Sequence, residues 1–145
     1  MTSRASAMLR VAEIRVLYAD TDQMGIVNNA NYLRWFEIGR AEWLRHHGTP
    51  YTAIEQEGFQ MPIVEAHLRY RAPAKYDDLV AISAQPAELR AASVKFLYQL
   101  HRAADGGLLC EGYTTHACLD TKGKVSRIPK SVVRLLGFLP DGEQS

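Results

Sequence analysis

Between positions 20 and 31 the chain places two carboxylates, Asp20 and Asp22, then Gly25, then three carboxamides, Asn28, Asn29 and Asn31. An aromatic-rich segment follows at once. Its Tyr32, Trp35, Phe36, Gly39 and Trp43 recur at the spacing of one helix face. A helix start presents unpaired N–H groups and the positive end of the helix dipole. Such a start can polarise a carbonyl and hold an oxyanion. Asn28, Asn29 and Asn31 are each candidates for its cap. Gly25 lets the preceding loop turn tightly and brings backbone close to a ligand. A carboxylate a few residues upstream would stand beside the polarised carbonyl, as nucleophile or as the base that activates a water. These parts suffice for acyl-transfer hydrolysis without serine, cysteine or metal. The competing reading makes the aspartates turn or cap residues, where Asp is common, and Asp20 fits that role best.

The elements around this stretch follow from periodicity. Val11 to Tyr18 alternates Ala12, Ile14, Val16 and Tyr18 against Glu13 and Arg15, as in a half-buried strand. The helix carrying the aromatic face stops at Gly48, after His46 and His47, which suit its C-terminal dipole. Gly39 within the buried stripe implies a sheet backbone lying close against the helix. A short second helix fits within Thr49 to Gly58. Strands follow at Ile63 to Tyr70, Leu79 to Ala84, Val94 to Leu100 and Leu108 to Leu119. Asp105-Gly106-Gly107 marks the hairpin between the last two. Lys122-Gly123 forms another turn before a short strand, Lys124 to Ile128, and Pro129 opens a helix from Lys130 to Leu136. No βαβ alternation is present, so the sheet is antiparallel. The fold class is α+β: one long helix against one curved antiparallel sheet of five to six strands. A single helix leaves part of such a sheet uncovered, which implies association of two copies.

The chain has 145 residues, a formal net charge of +1 and 47% hydrophobic residues. This length supports one domain with a real core. Residues 10–138 are assigned to it, residues 1–9 to a loosely ordered tail and residues 139–145 to a flexible one. Balanced charge gives no footprint for nucleic acid, and no window is apolar enough to span a membrane. The N-terminus lacks the apolar core of a secretory signal. Cys110 and Cys118 lie too far apart on one extended strand to form a disulfide. These features together imply a cytoplasmic protein. His116 shares a strand phase with both cysteines, but a closed zinc site needs about four ligands, so no metal is expected. Glu37 lies one turn from Arg34 and Arg40, an ordinary helix-surface pairing.

The string Asp20-Thr21-Asp22-Gln23-Met24-Gly25-Ile26-Val27-Asn28-Asn29-Ala30-Asn31-Tyr32, continuing to Trp35-Phe36-Glu37, resembles the signature of the hotdog-fold acyl-CoA thioesterases, in the 4-hydroxybenzoyl-CoA thioesterase-like branch. Met61-Pro62-Ile63-Val64, the stretch from Tyr70 to Asp78, and Ile128-Pro129 match in order, so the resemblance spans about residues 10 to 135. It implies a hotdog fold and hydrolysis of an acyl-CoA to free acid and coenzyme A. Coenzyme A enters as part of the substrate, and no cofactor is implied. By position, Asp22 matches the catalytic carboxylate, as nucleophile or general base. The Asn29 backbone N–H matches the donor to the thioester carbonyl. Tyr32, Met61 and Val64 are candidates for the acyl pocket, with Gly25 at its rim. Arg90, Ser93 and Lys95 fall where a relative contacts coenzyme A. A homodimer or a homotetramer is implied. The rival readings are a thioesterase acting on acyl carrier protein and a non-catalytic acyl-CoA binding module. A dehydratase on the same fold would need a histidine between Asp20 and Tyr32, and none is there.

Overall fold

The computed structural model describes residues 2–3, 8–48 and 50–138. Much of what was expected of the two tails concerns residues 1, 4–7 and 139–145, outside the described residues. The strands are β1 (Thr2–Ser3), β2 (Leu9–Arg15), β3 (Ile63–Tyr70), β4 (Leu79–Leu89), β5 (Ser93–Arg102) and β6 (Leu108–Ala117). They form one antiparallel sheet in the order β1-β4-β5-β6-β3, with β2 also pairing β4. The helices are α1 (Ala30–His46), α2 (Tyr51–Gln56) and α3 (Lys130–Leu135). Among the described residues no helix is long and apolar enough to cross a membrane.

α1 buries the stripe its spacing specifies, Tyr32, Trp35, Phe36, Gly39 and Trp43, and adds Leu44. It lies across β4, β2 and β5. The Phe36 ring stacks on Tyr98 at 4.2 Å. The helix ends where His47 Nδ1 hydrogen-bonds the Trp43 carbonyl at 2.8 Å and Gly48 turns at φ 79°. Gly39 does admit close packing, but against side chains rather than sheet backbone. A Cβ there would lie 2.7 Å from Ile82 Cγ2 and 3.3 Å from Ala84 Cβ.

Several boundaries differ from the sequence reading, each for a local reason. β2 ends at Arg15, and Tyr18 is 78% exposed on a 3-10 turn, not the buried end of a strand. A register shift between Arg10 and Ala12 carries Val11 inside. β4 continues past Ala84 to Leu89, and Pro86 is accommodated beside a second register shift. The Lys124 to Ile128 segment is not a strand: it forms the isolated bridge from Val125 to Leu119, and Ser126 N and Ile128 N donate to the Cys118 and Ala91 carbonyls, each at 2.8 Å. Cys110 and Cys118 are free and buried, and burial pushes the Cys110 thiol up to about 11. β3 is the edge strand at the end opposite β1, and most of its residues are exposed.

Candidate active site

The chain leaves β2 at the fully buried Val16, which exchanges backbone hydrogen bonds with the segment before β4: Val16 N to Asp78 O at 2.9 Å and Asp77 N to Val16 O at 3.1 Å. The short turn Tyr18–Asp20 follows. Asp20 is buried there, and its two carboxylate oxygens are both occupied. Oδ2 accepts the Leu17 N–H and Oδ1 accepts from Arg34 Nη2, each at 2.9 Å. Asp20 thus ties the loop to α1, a structural role. Arg34 is thereby drawn to Asp20 and Arg40 to the Tyr98 hydroxyl, so neither makes the expected pair with Glu37.

Asp22 sits differently. Thr21 and Val27 bridge to close a small hairpin, and Asp22 to Gly25 form its tip. The Gly25 N–H donates to the Asp22 carbonyl at 3.0 Å, and the Asp22 N–H donates to the Ile26 carbonyl at 2.8 Å. Gly25 adopts φ 79°, the left-handed region where a side chain is strained. The Asp22 carboxylate is exposed. Its Oδ1 accepts the Met24 N–H at 2.8 Å, and its other oxygen takes no hydrogen bond from the described residues.

The helix start follows. Asn28 Oδ1 accepts the Ala30 N–H at 3.0 Å. Asn31 Nδ2 donates back to the Asp20 carbonyl at 3.1 Å. Asn29 occupies the cap position without a side-chain capping bond. Among the described residues nothing accepts its backbone N–H. An unused donor at the positive end of a helix of this length is an electrophilic point.

What holds the helix start is Ala74, a fully buried residue to which sequence reasoning attached no role. Its carbonyl accepts the Val27 N–H at 2.9 Å, and its N–H donates to the Tyr32 hydroxyl at 3.1 Å. The Ala74 segment is in turn fixed by Arg102, which donates to Asp78 Oδ2 at 3.3 Å and to the Pro73 carbonyl at 3.0 Å. The motif match from Tyr70 to Asp78 was the available signal. Between the helix start and this segment lies a cleft of about 290 Å³, lined by Ile26, Val27, Asn29, Tyr32, Tyr70 and Pro73 among others. The rings of Tyr32 and Tyr70 meet edge to face at 5.2 Å.

The expected site residues fall into three groups. Asn29 and Tyr32 share the cleft. Asp22 and Gly25 stand on the adjoining turn, one hydrogen bond from the wall residue Ile26. Met61 and Val64 are not brought to Tyr32 within one chain. Met61 is buried beyond the other end of β3, and Val64 is 61% exposed on that edge. Arg90, Ser93 and Lys95 converge, with Glu65, Glu88 and Thr115, around a hollow of about 290 Å³. Lys95 pairs with Glu88 at 3.3 Å and covers the Tyr113 ring at 4.3 Å.

A long helix laid on an antiparallel sheet of this strand order is the hotdog architecture of thioester hydrolases. The thioesterase-like superfamily matches residues 16–136, and the chain belongs to that family. The acyl-CoA thioester hydrolase YbgC of Escherichia coli O157:H7 is 34% identical over 83% of this chain and 90% of its own length. A crystal structure of the hypothetical protein TT1821 from Thermus thermophilus superposes with a TM-score of 0.82 at 38% identity, over 88% of this chain and 97% of that one. The DHNA-CoA thioesterase of Staphylococcus aureus superposes with a TM-score of 0.75 at 26% identity, over 80% and 78% of the two chains.

Proposed function

We propose that the protein hydrolyses acyl-CoA thioesters, with Asp22 as the carboxylate that drives attack and the Asn29 N–H as the donor to the thioester oxygen. One observation carries this reading: among the described residues the helix-terminal N–H of Asn29 is unused, Asn29 lines a cleft, and the adjoining turn presents a carboxylate with an oxygen that takes no hydrogen bond. The thioester carbonyl lies against the start of α1. Asp22 takes a proton from water as it attacks, or attacks the carbonyl carbon itself. The carbonyl oxygen becomes an oxyanion held by the Asn29 N–H. Collapse expels the coenzyme A thiolate, which takes up a proton, and the acid leaves. If Asp22 attacks directly, water then cleaves the anhydride so formed.

The working unit in this reading is a homodimer paired along β3. That strand is a long exposed edge carrying apolar Ile63, Val64 and Tyr70. A two-fold pairing of β3 with β3 sets the Val64 end of one copy beside the Tyr70 end of the other. This would complete the acyl pocket from residues that lie apart in a single chain. The Arg90, Ser93 and Lys95 cluster supplies cations for the coenzyme A phosphates.

The test is thiol release from short, medium and long aliphatic acyl-CoAs and from benzoyl- and phenylacetyl-CoA, with matched acyl carrier protein thioesters alongside. Turnover of one CoA class supports the reading and names the acyl group. Turnover confined to the carrier-protein esters changes the carrier. Binding without turnover would leave a sensing module and sink the proposal.

A further inference from the structure

The edge strand β3 carries different chemistry on its two faces. Glu65, His67 and Arg69 pair with Thr115, Tyr113 and Glu111 of β6, whereas Ala66, Leu68 and Tyr70 pair with Thr114, Gly112 and Cys110. Thr114 and Cys110 are fully buried. The second set therefore shares the core face of the sheet, and the first set lies on the face away from α1. That outer face is symmetric about His67, with an acid two residues before it and a base two residues after.

Among the described residues neither charge is paired within the chain. Glu65 accepts only from the Thr115 hydroxyl, at 3.3 Å. Arg69 lies across from Glu111, but Arg71 Nε already donates to that carboxylate at 2.7 Å. The backbone has a free side as well. The Arg71 N–H donates to the Leu109 carbonyl at 2.8 Å. Backbone groups alternate in direction along a strand, so those of Ala66, Leu68 and Tyr70 turn away from β6, where no strand follows.

Antiparallel pairing sets residues of the same face opposite each other, so a two-fold pairing of β3 with its own copy has its axis at one residue. An axis at Glu65 or at Arg69 sets that charge against itself, which destabilises. An axis at Ala66 leaves Arg69 opposite the apolar Ile63 of the partner subunit. An axis at Leu68 sets His67 against the partner's Arg69, and Glu65 against the partner's Arg71, which Glu111 already holds. The axis at His67 pairs each Glu65 with the Arg69 of the other copy. It also sets Ala66 against the partner's Leu68, and Tyr70 against the partner's Val64.

We propose that two copies pair β3 to β3 with the axis at His67, held in register by reciprocal Glu65–Arg69 ion pairs, and that the partner's Val64 stands against Tyr70 at the exposed side of the Asn29 cleft. The inference rests on the edge-to-edge dimer of the acyl-CoA reading above and adds its register. Each cleft takes the Asp22 turn, the helix start and the Tyr32–Tyr70 pair from one copy, and an aliphatic wall from the other.

The experiment places single cysteines on β3 of the full chain and oxidises mildly. His67→Cys faces its own copy with Cα atoms about 4.5 Å apart, within disulfide range. Ala66→Cys and Leu68→Cys lie about 8 Å from theirs, outside it. Non-reducing electrophoresis should show a crosslinked dimer for His67→Cys, and for the other two no more than for wild type. In sedimentation at low salt, Glu65→Arg should weaken the dimer about tenfold or more, and adding Arg69→Glu should restore it to within about threefold. Asp22→Asn and Val64→Trp should each abolish most thiol release. In a one-to-one mixture of the two chains, half the dimers are mixed and each holds one intact cleft, so about a quarter of wild-type activity should return. Crosslinking at Ala66→Cys or Leu68→Cys in preference to His67→Cys, a double charge variant no tighter than the single, full activity in Val64→Trp, or no recovery in the mixture overturns the proposal. A monomeric wild type overturns it together with the edge dimer. Crosslinking and sedimentation use no thioester, so failure of the acyl-CoA reading shows separately, as a folded dimer that cleaves no CoA ester.

Discussion

Asp20 and Asp22 are one residue apart and are put to opposite uses. Asp20 is buried with both carboxylate oxygens bonded, whereas Asp22 is exposed with one oxygen that takes no hydrogen bond from the described residues. The difference follows from Arg34, which reaches back from α1 to Asp20 and leaves Asp22 to the hairpin tip. His116 supports a prediction about pH. Its folded-state proton affinity is lowered to about 4 from the ordinary 6.5. Below about pH 6.5 the unfolded chain therefore binds a proton that the folded chain does not. Stability should fall between about pH 6.5 and 4 and level off below, by on the order of 3 kcal/mol from this residue. Urea unfolding at several pH values should show a shallower decline for His116→Gln than for wild type, and parallel declines would contradict it. Gly39 gives a second test. Replacing it with alanine would gain up to about 1 kcal/mol of helix propensity. The new Cβ, however, would press on Ile82 Cγ2, which is too close to its own backbone to retreat. Overpacking costs about 1–3 kcal/mol, so Gly39→Ala should show a net loss of about 1 kcal/mol in denaturant unfolding. A gain would show that the helix can lift off the sheet freely.

At the scale of elements, the start of α1 is tied to the segment before β4 through one buried alanine backbone. Tyr32→Phe removes the acceptor of the Ala74 N–H. Orphaning a buried donor costs about 1–3 kcal/mol. Stability should drop within that range, and activity should fall with it as the helix start loosens. Unchanged stability would mean that water replaces the hydroxyl. The aromatic stripe of α1 was legible in the sequence because helical spacing repeats over many residues, and so was the alternating pattern of β5. The Ala74 clamp was not legible, because a backbone-mediated contact leaves no side-chain signature. Nor was the early end of β2, since Val16 and Tyr18 keep the alternation while the backbone turns away to meet Asp77 and Asp78. Of the candidate site, the Asp22 turn and the helix start were readable as a motif. The separation of Met61 and Val64 from Tyr32 was not, because it depends on which end of β3 each occupies.

On the scale of the whole molecule, the exposed edge of β3 is the feature a single chain leaves unfinished. Ile63, Val64 and Tyr70 are exposed on this edge and no proline interrupts the strand, so the proposed dimer would cover them. Ile63→Lys combined with Val64→Lys should shift the protein toward monomer in sedimentation, with most thioesterase activity lost. A variant that stays dimeric and active would place the interface elsewhere. The most direct measurement is thiol release by wild type and Asp22→Asn on the best acyl-CoA, with circular dichroism confirming that both are folded. The carboxamide keeps an oxygen acceptor for the Met24 N–H and replaces the other oxygen with an NH2 group, which can neither take a proton from water nor attack a carbonyl. A loss of at least about 100-fold in kcat, roughly 2.7 kcal/mol of transition-state stabilisation, is expected. Full activity in Asp22→Asn would make Asp22 a turn residue and leave the reaction to other groups.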